Sequence, residues 1–110
     1  MIEYGDFAKV DMRVGTIVEA KPFPEARNPA YQLWIDFGDT LGIKKSSAQI
    51  TDHYELEALL DRQVIAVVNF PTKQIGKFMS EVLVLGSVQE DGTVILLGPV
   101  NRVKNGSKIS

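Results

Sequence analysis

The sequence contains no cysteine and a single histidine, His53. Without cysteine the chain can form no disulfide, no thiolate metal site and no thiol nucleophile. The histidine has no second histidine with which to bind a metal, and we interpret it as a surface residue near the start of a short helix. The chain also lacks the G-x-S-x-G motif of serine hydrolases and a Walker-type phosphate-binding loop. These absences predict a binding protein without a metal, a cofactor or an enzymatic activity.

The chain also has no apolar run near the roughly 20 residues that cross a bilayer. Residues 1–6 have neither the basic nor the apolar segment of a secretory signal, so we expect a cytoplasmic protein without membrane insertion. Hydrophobic residues make up 45% and charged residues 24% of the sequence, which is typical of a folded globular protein. The length of 110 residues predicts a single domain over residues 1–110.

Alternating apolar residues predict β-strands over much of the chain. The alternation is clearest in residues 31–37, where Leu33, Ile35 and Phe37 share one face and Trp34 lies on the other. In the first predicted strand, residues 12–20, Val18 falls on the apolar face and Gly15 predicts a bulge or bend. Further strands are predicted over residues 41–47, 63–69, 81–88 and 93–97. Residues 63–69 do not alternate, which indicates that both faces of that strand are covered.

Short helices and turns separate these strands. A helical turn is predicted over residues 6–10 with Asp6 as its N-cap, and a short helix through residues 57–60 with Thr51 or Asp52 as its cap. Loops or turns are predicted at residues 21–29, 38–40, 70–79, 91–92 and 105–106. The order of three strands, a short helix and further strands predicts an all-β OB-fold, a five-stranded barrel with short terminal extensions. An SH3-like barrel or a small sandwich also fits this pattern.

Two segments without acidic residues carry the candidate binding residues. Residues 41–50 contain Lys44 and Lys45, and residues 69–80 contain Lys73 and Lys77 among aromatic, amide and hydroxyl side chains. In an OB-fold both segments can reach the same mouth of the barrel, so we expect a groove there. The expected groove residues are Lys44, Lys45, Ser46, Ser47, Asn69, Phe70, Lys73, Gln74, Lys77, Phe78 and Ser80, with Trp34 as a further aromatic side chain.

The composition of this expected groove fits two ligand classes. Lysines and aromatic rings can contact the phosphates and unstacked bases of a nucleic acid. Apolar pockets and polar side chains can also hold an extended peptide. The chain has a formal net charge of -2, so we expect only modest long-range attraction to phosphate. Solvated loop residues on an ordinary barrel would give the same composition.

Apolar residues at both ends of the chain predict a homodimer. Chain ends usually fray unless they are packed, and here they carry apolar side chains that a second copy can cover. The predicted interface residues are Tyr4, Phe7, Val10, Val100, Val103 and Ile109. The alternative is that both ends fold back onto their own barrel.

Several motifs resemble those of the EMAP-like tRNA-binding domain family. Residues 11–17, D-M-R-V-G-T-I, resemble the opening motif of that family, and F-P-E-A follows at residues 23–26. Asn69, Phe70 and Pro71, then Gly76, then Ser80 and Glu81 resemble its second signature. The motifs occur in the family's order and span nearly the whole chain.

This resemblance implies an OB-fold homodimer that binds tRNA, and it adds Glu81 to the expected site. Within the family, the sequence is most similar to stand-alone bacterial members associated with protein export. Such members are described as chaperone-like proteins that bind exported precursor proteins and the SecA translocation motor. The resemblance therefore implies an export chaperone that binds unfolded precursors or peptides, with tRNA binding through the same groove as the alternative.

Overall fold

A computed structural model describes all 110 residues, which form three short helices and nine strands. The helices are α1 (Tyr4–Ala8), α2 (Gly38–Leu41) and α3 (Leu56–Leu59). The strands are β1 (Met12–Pro22), β2 (Tyr31–Asp36), β3 (Ile43–Ala48), β4 (Gln63–Val67), β5 (Lys73–Ile75), β6 (Phe78–Ser80), β7 (Leu83–Val84), β8 (Gly86–Val88) and β9 (Val94–Leu96). No helix is long and apolar enough to cross a bilayer.

Five antiparallel strands form the barrel, in the order β3-β2-β1-β4-β7. The long strand β1 pairs with β4 through its first half and with β2 through its second half, so it bridges both sides of the sheet. The sheet closes where the backbone N–H groups of Glu81 and Val82 donate to the carbonyl oxygen of Lys45 in β3. This arrangement, with α3 between β3 and β4, confirms the predicted OB-fold barrel.

The alternation of β2 places its apolar side chains in the core. Leu33, Ile35 and Phe37 are almost completely buried, and they pack with Leu59 of α3 and Val64 of β4. Strand β4 is less fully covered than its sequence predicts, because Ile65 is only half-buried. The core is therefore formed by the inner faces of the strands and one side chain of α3.

The bulge in β1 lies at Val18 and not at Gly15, where the sequence predicts it. The pairing register with β2 shifts between Ile17 and Glu19, so Ile17 points into the core and Val18 is exposed. Gly15 has a different role: it lies against the interior side chains of Ile35 and Phe37, where there is no room for a side chain. The apolar face predicted for Val18 is therefore wrong, because the bulge reverses the alternation.

Two helix starts also differ from the prediction. Helix α1 has Glu3 as its N-cap, and Asp6 lies inside the helix and accepts a hydrogen bond from the backbone N–H of Glu3. Helix α3 has Glu55 at its N-cap, and neither Thr51 nor Asp52 caps it. The predicted turn at residues 38–40 is the short helix α2, and the third strand begins later than predicted, at Ile43.

The predicted loop at residues 70–79 contains a hairpin of β5 and β6. Ile75 pairs with Phe78 across the two-residue turn Gly76–Lys77, and Gly76 has a φ of 60°. Glycine at the first turn position with positive φ matches a type II′ turn, which suits the twist of a two-stranded hairpin. Strands of three residues are too short for an alternation pattern to reveal.

The C-terminal segment returns to β1. Its backbone bonds to β1 join Val14 to Gly106 and Ser107, and Met12 to Ile109. This segment occupies the edge of β1 that β2 leaves unpaired. Helix α1 at the other end has no buried residue.

We predict that Gly15→Ala destabilises the protein by about 1–3 kcal/mol, because overpacking a tight core forces neighbouring side chains to shift. A Cβ atom at Gly15 would lie 2.6 Å from Cγ2 of Ile35 and 2.8 Å from the ring of Phe37. Urea unfolding measures the change. Gly5→Ala is the control, because a Cβ at Gly5 meets no atom within 4 Å. Equal unfolding midpoints for the two variants would contradict this account.

Candidate functional site

The lysines of β3 lie on opposite faces of the sheet. Lys45 pairs with Trp34 of β2 and lies on the outer face, whereas Lys44 pairs with Ile35 and lies on the side of the barrel interior. The ammonium group of Lys45 lies 5.2 Å from the ring centroid of Phe78. The two lysines therefore cannot act together on one ligand segment, although the sequence places them side by side.

Three aromatic rings pack together beneath the hairpin of β5 and β6. The rings of Phe23 and Phe78 are 5.3 Å apart, and those of Trp34 and Phe78 are 5.9 Å apart. Phe78 is 7% exposed, so it forms the centre of this cluster. The expectation that Phe78 contacts a ligand directly is contradicted by this burial. Its contacts anchor the hairpin to the loop between β1 and β2.

Trp34 and two cations form a surface that we call the basic-aromatic face: Lys21, Trp34 and Lys45. The ammonium group of Lys21 lies 5.1 Å from the ring centroid of Trp34. Lys21 also lies 3.5 Å from the carboxylate of Glu19, an exposed ion pair. The sequence prediction missed Lys21 because it placed this residue in a loop, whereas β1 continues to Pro22.

Ser80 and Glu81 close the barrel. The Ser80 hydroxyl accepts a hydrogen bond from the backbone N–H of Ser47, and a Glu81 carboxylate oxygen accepts one from that of Lys45, both at 3.0 Å. Both side chains thus satisfy the edge of β3 that β2 does not reach. Neither residue is fully buried, and both also line the groove described below, so this structural role leaves them accessible at the predicted site.

Ser46 and Asn69 are also structural. Ser46 is completely buried, which contradicts the expectation that its hydroxyl meets a ligand. The Asn69 side chain accepts a hydrogen bond from the N–H of Asp11 and donates one to the carbonyl oxygen of Lys9. It therefore ties the end of β4 to the segment between α1 and β1.

A groove with a volume of about 630 Å³ opens beside the hairpin, and we call it the apolar groove. Eleven of its eighteen lining residues are hydrophobic. It is lined by residues 47–50, residues 80–86, four residues before and within β5 (Phe70, Pro71, Lys73 and Ile75), and Val88, Val94 and Leu96 of the β8–β9 hairpin. Phe70 and Leu83 are about half exposed, at 55% and 48%, so their side chains are accessible from solvent.

Of the remaining predicted residues, Lys73 lines the groove, whereas Gln74 and Lys77 are exposed outside it. The amide of Gln74 donates to the carbonyl oxygen of Gly76 within its own turn. Ion pairs in the chain join Asp11 to Arg13, Glu19 to Lys21 and Asp61 to Arg102, so Lys73 and Lys77 have no acidic partner.

Hydrogen bonds hold the β8–β9 hairpin, which lines the groove through Val88, Val94 and Leu96. The phenol of Tyr31 donates to the carbonyl oxygen of Tyr54, and the Tyr54 hydroxyl accepts from the N–H of Leu96. Burial raises the pKa of the Tyr31 phenol, and the nearby carboxylates of Glu55 and Glu57 add to this rise. The phenol therefore stays protonated and able to donate near neutral pH.

His53 is exposed, as the sequence predicts, and lies beside the same hairpin. Its Nε2 atom is 2.7 Å from the Thr93 hydroxyl, which donates to the Asp91 carboxylate. Hydrogen bonds from the hydroxyl and the N–H of Thr93 lower the pKa of Asp91. No three His, Asp or Glu side chains come together to hold a metal ion.

Most of the apolar residues at the chain ends are exposed. Tyr4 is 79% exposed and Val100 fully exposed, and Val10 and Val103 are also on the surface. Phe7 and Ile109 are half-buried. The C-terminal segment is bonded to β1 through its backbone, and the segment after α1 is held at Lys9 and Asp11 by bonds to the end of β4. The apolar side chains at both chain ends nevertheless remain accessible.

Comparison with known proteins gives the family of this chain. Residues 12–108 match the family described as "Putative tRNA binding domain". A methionine–tRNA ligase from Bacteroides fragilis is 33% identical over 108 residues, which are 98% of this chain. The chain spans only 16% of the length of that ligase, so the similarity lies in one domain of it.

Two solved structures cover this chain completely, each with a TM-score of 0.94. The chaperone CsaA from Bacillus anthracis is 54% identical and the CsaA chaperone protein from Picrophilus torridus is 55% identical. The comparison covers 99% and 100% of those two chains. The family predicted from the motifs is confirmed: the chain belongs to the tRNA-binding domain family and is similar to its stand-alone CsaA members.

Proposed function

We propose that the protein is a CsaA-like chaperone of protein export that binds unfolded segments of precursor proteins in the apolar groove. The observation that carries this proposal is the groove itself, an open apolar surface with half-exposed Phe70 and Leu83. Exposed apolar concavities of this kind are typical of binding sites for apolar side chains. The similarity to CsaA chaperones supports the same proposal.

Binding in the groove requires no chemistry, only complementary surfaces. Apolar side chains of an unfolded segment lose contact with water when they enter the groove, which gives about 25 cal/mol for each Å² that is buried. Gln49 and Lys73 at the groove provide polar groups for the backbone of such a segment. The protein therefore acts by holding a chain, without a nucleotide, a cofactor or an enzymatic step.

The partners follow from this mode of action and from the family. We propose that residues 1–110 act as one domain in the cytoplasm, where precursors remain unfolded before export. Exported precursor proteins are its ligands and the SecA translocation motor is its proposed partner. The similarity to CsaA chaperones supports the chaperone part of this scheme.

We further propose that two copies pair through the exposed apolar side chains at the chain ends: Tyr4, Phe7, Val10, Val100, Val103 and Ile109. Met1 and Ile2 extend this apolar surface at the N-terminus. Helix α1 has no buried residue of its own, so a second copy is the natural cover for its apolar side chains. A dimer presents two grooves to one long precursor and so increases the effective affinity.

Binding of tRNA is the second candidate function, and the basic-aromatic face favours it. There the Lys21 and Lys45 cations lie on the same outer side of the sheet as the Trp34 ring, and Lys21 is in direct contact with that ring. Cations for phosphates beside a ring for base stacking are the groups that bind unpaired nucleotides. The family match supports this candidate as well.

The groove is tested with reduced, carboxymethylated α-lactalbumin, which is permanently unfolded. We expect it to bind, and native α-lactalbumin not to bind, in a fluorescence anisotropy titration. Phe70→Ser should weaken binding about tenfold, because loss of one aromatic anchor costs roughly 1–2 kcal/mol. Leu60→Ser is the matched control, because Leu60 is 50% exposed but lies outside the groove. Equal losses for both variants would contradict the groove, and no binding would contradict the chaperone function.

The dimer is tested by sedimentation velocity at micromolar concentration. We expect the wild type to sediment as a dimer and the double variant Tyr4→Asp, Val100→Asp to sediment as a monomer, because buried unpaired carboxylates oppose association. Val88→Asp places the same charge on a side chain of the β8–β9 hairpin that is 72% exposed, and this variant should remain a dimer. A monomeric wild type would exclude the two-groove arrangement.

The tRNA candidate is tested by measuring tRNA affinity across a series of salt concentrations. The double variant Lys21→Ala, Lys45→Ala should reduce the slope of log affinity against log salt by about one for each phosphate that a lysine no longer neutralises. The control pair Lys9→Ala, Lys104→Ala removes two exposed lysines outside the basic-aromatic face. The candidate fails if wild-type protein does not bind tRNA at low salt, or if both pairs change the slope equally.

A further inference from the structure

The hairpin of β5 and β6 has a free edge beside the apolar groove. Strand β5 pairs with β6 alone, and no other backbone hydrogen bond reaches Lys73, Gln74 or Ile75. An unpaired strand edge presents N–H and C=O groups to any extended chain that lies beside it. These groups can serve the groove only where they point away from β6.

The hairpin register gives that direction. Ile75 and Phe78 flank the two-residue turn, so their backbones bond to each other, as do those of the next alternate pair, Lys73 and Ser80. Gln74 lies between these pairs, and its N–H and C=O groups therefore point away from β6. Its side chain donates to Gly76 and leaves both backbone groups free.

The side chains of β5 show which face of the hairpin borders the groove. Lys73 and Ile75 line the groove and Gln74 does not, as the alternation of a strand requires. A chain that pairs with this edge continues the small sheet and sends every second side chain to the groove side. Main-chain bonds would then supply affinity, and the groove would select apolar side chains at alternate positions.

The lysines beside β5 indicate the charge of the chain that binds there. Lys73 and Lys77 flank the edge and make no ion pair. Glu81 is the one acidic residue that lines the groove, and its carboxylate already accepts the N–H of Lys45. An acidic residue in the bound chain therefore gains a cationic partner at β5.

We propose that β5 captures an extended peptide by β-strand addition, with apolar residues at alternate positions in the groove and an acidic residue near Lys73 or Lys77. This inference rests on the proposed chaperone function and specifies how the groove holds its ligand. Only three residues form the edge, and lysine on an edge opposes pairing of one hairpin with another. Such an edge suits brief capture and release of unfolded chains.

The experiment uses wild-type protein and a fluorescein-labelled peptide in which leucine alternates with serine and one aspartate. N-methylation of alternate peptide bonds removes the N–H donors along one edge of the peptide and leaves the other edge unchanged. We expect one methylation pattern to weaken binding about tenfold, the loss of two or so hydrogen bonds, and the other pattern to change it less than about twofold. Equal effects of both patterns would overturn strand addition.

A protein variant gives a second, independent measurement. Gln74→Pro removes the outward N–H at an edge position where proline is tolerated, and Gln74→Ala keeps that N–H. We expect the proline variant to bind the peptide about tenfold more weakly and the alanine variant to bind like wild type. Equal affinities would contradict the proposed edge, even where the N-methylated peptides differ.

The outcomes separate this inference from the function on which it rests. If unfolded α-lactalbumin binds and neither N-methylation nor Gln74→Pro matters, strand addition is wrong and the chaperone function stands. If α-lactalbumin and the peptide both fail to bind, both proposals are wrong. Binding of tRNA that competes with the peptide and is equally sensitive to Gln74→Pro would also overturn the assignment to a peptide.

Discussion

The closure of the barrel at Lys45 is the interaction on which both candidate surfaces depend. The Lys45 carbonyl oxygen accepts the N–H groups of Glu81 and Val82, while its own N–H donates to the Glu81 carboxylate. These bonds attach the segment after β6 to β3 and so hold the β5–β6 hairpin across the mouth of the barrel. Without them the groove would lose one wall and the aromatic cluster would lose Phe78. Because Lys45 also contributes its ammonium group to the basic-aromatic face, a single residue belongs to the framework and to the surface.

The hairpin contributes one face to two sites. Lys73, Ile75, Phe78 and Ser80 share its inner face, since paired residues of a hairpin lie on the same side. Near the turn this face covers the aromatic rings, and near its base it lines the groove. The three packed rings and the bond of Ser80 to β3 fix the hairpin at both ends. A groove held in this way is formed before a ligand arrives, which lowers the ordering cost of binding.

The sequence predicts the barrel well because its strands obey a simple rule. In β2 and the residue after it, the alternation of Leu33, Ile35 and Phe37 alone identifies the core face. The alternation rule does not predict where a side chain takes the place of a backbone partner. Nothing in the residue types of Ser80, Glu81 or Asn69 reveals that their oxygens accept main-chain N–H groups of distant segments. Serines 46 and 47 show the same limit. They are the same residue type at adjacent positions, yet Ser46 is buried and Ser47 lines the groove, because neighbouring side chains of a strand point to opposite faces.

Local charge, rather than net charge, decides what this acidic chain can bind. The net charge of -2 includes acids that already have partners, such as Asp11 with Arg13 and Asp61 with Arg102. The lysines around the hairpin have none, and within about a Debye length of 8–10 Å a ligand senses those lysines more than the whole molecule. Long-range electrostatic attraction of a ligand is therefore weak, both for a peptide and for RNA. The two ligands differ in the contacts that they can make. The apolar groove binds apolar side chains, which a nucleotide lacks, whereas the ring of Trp34 can stack on a base.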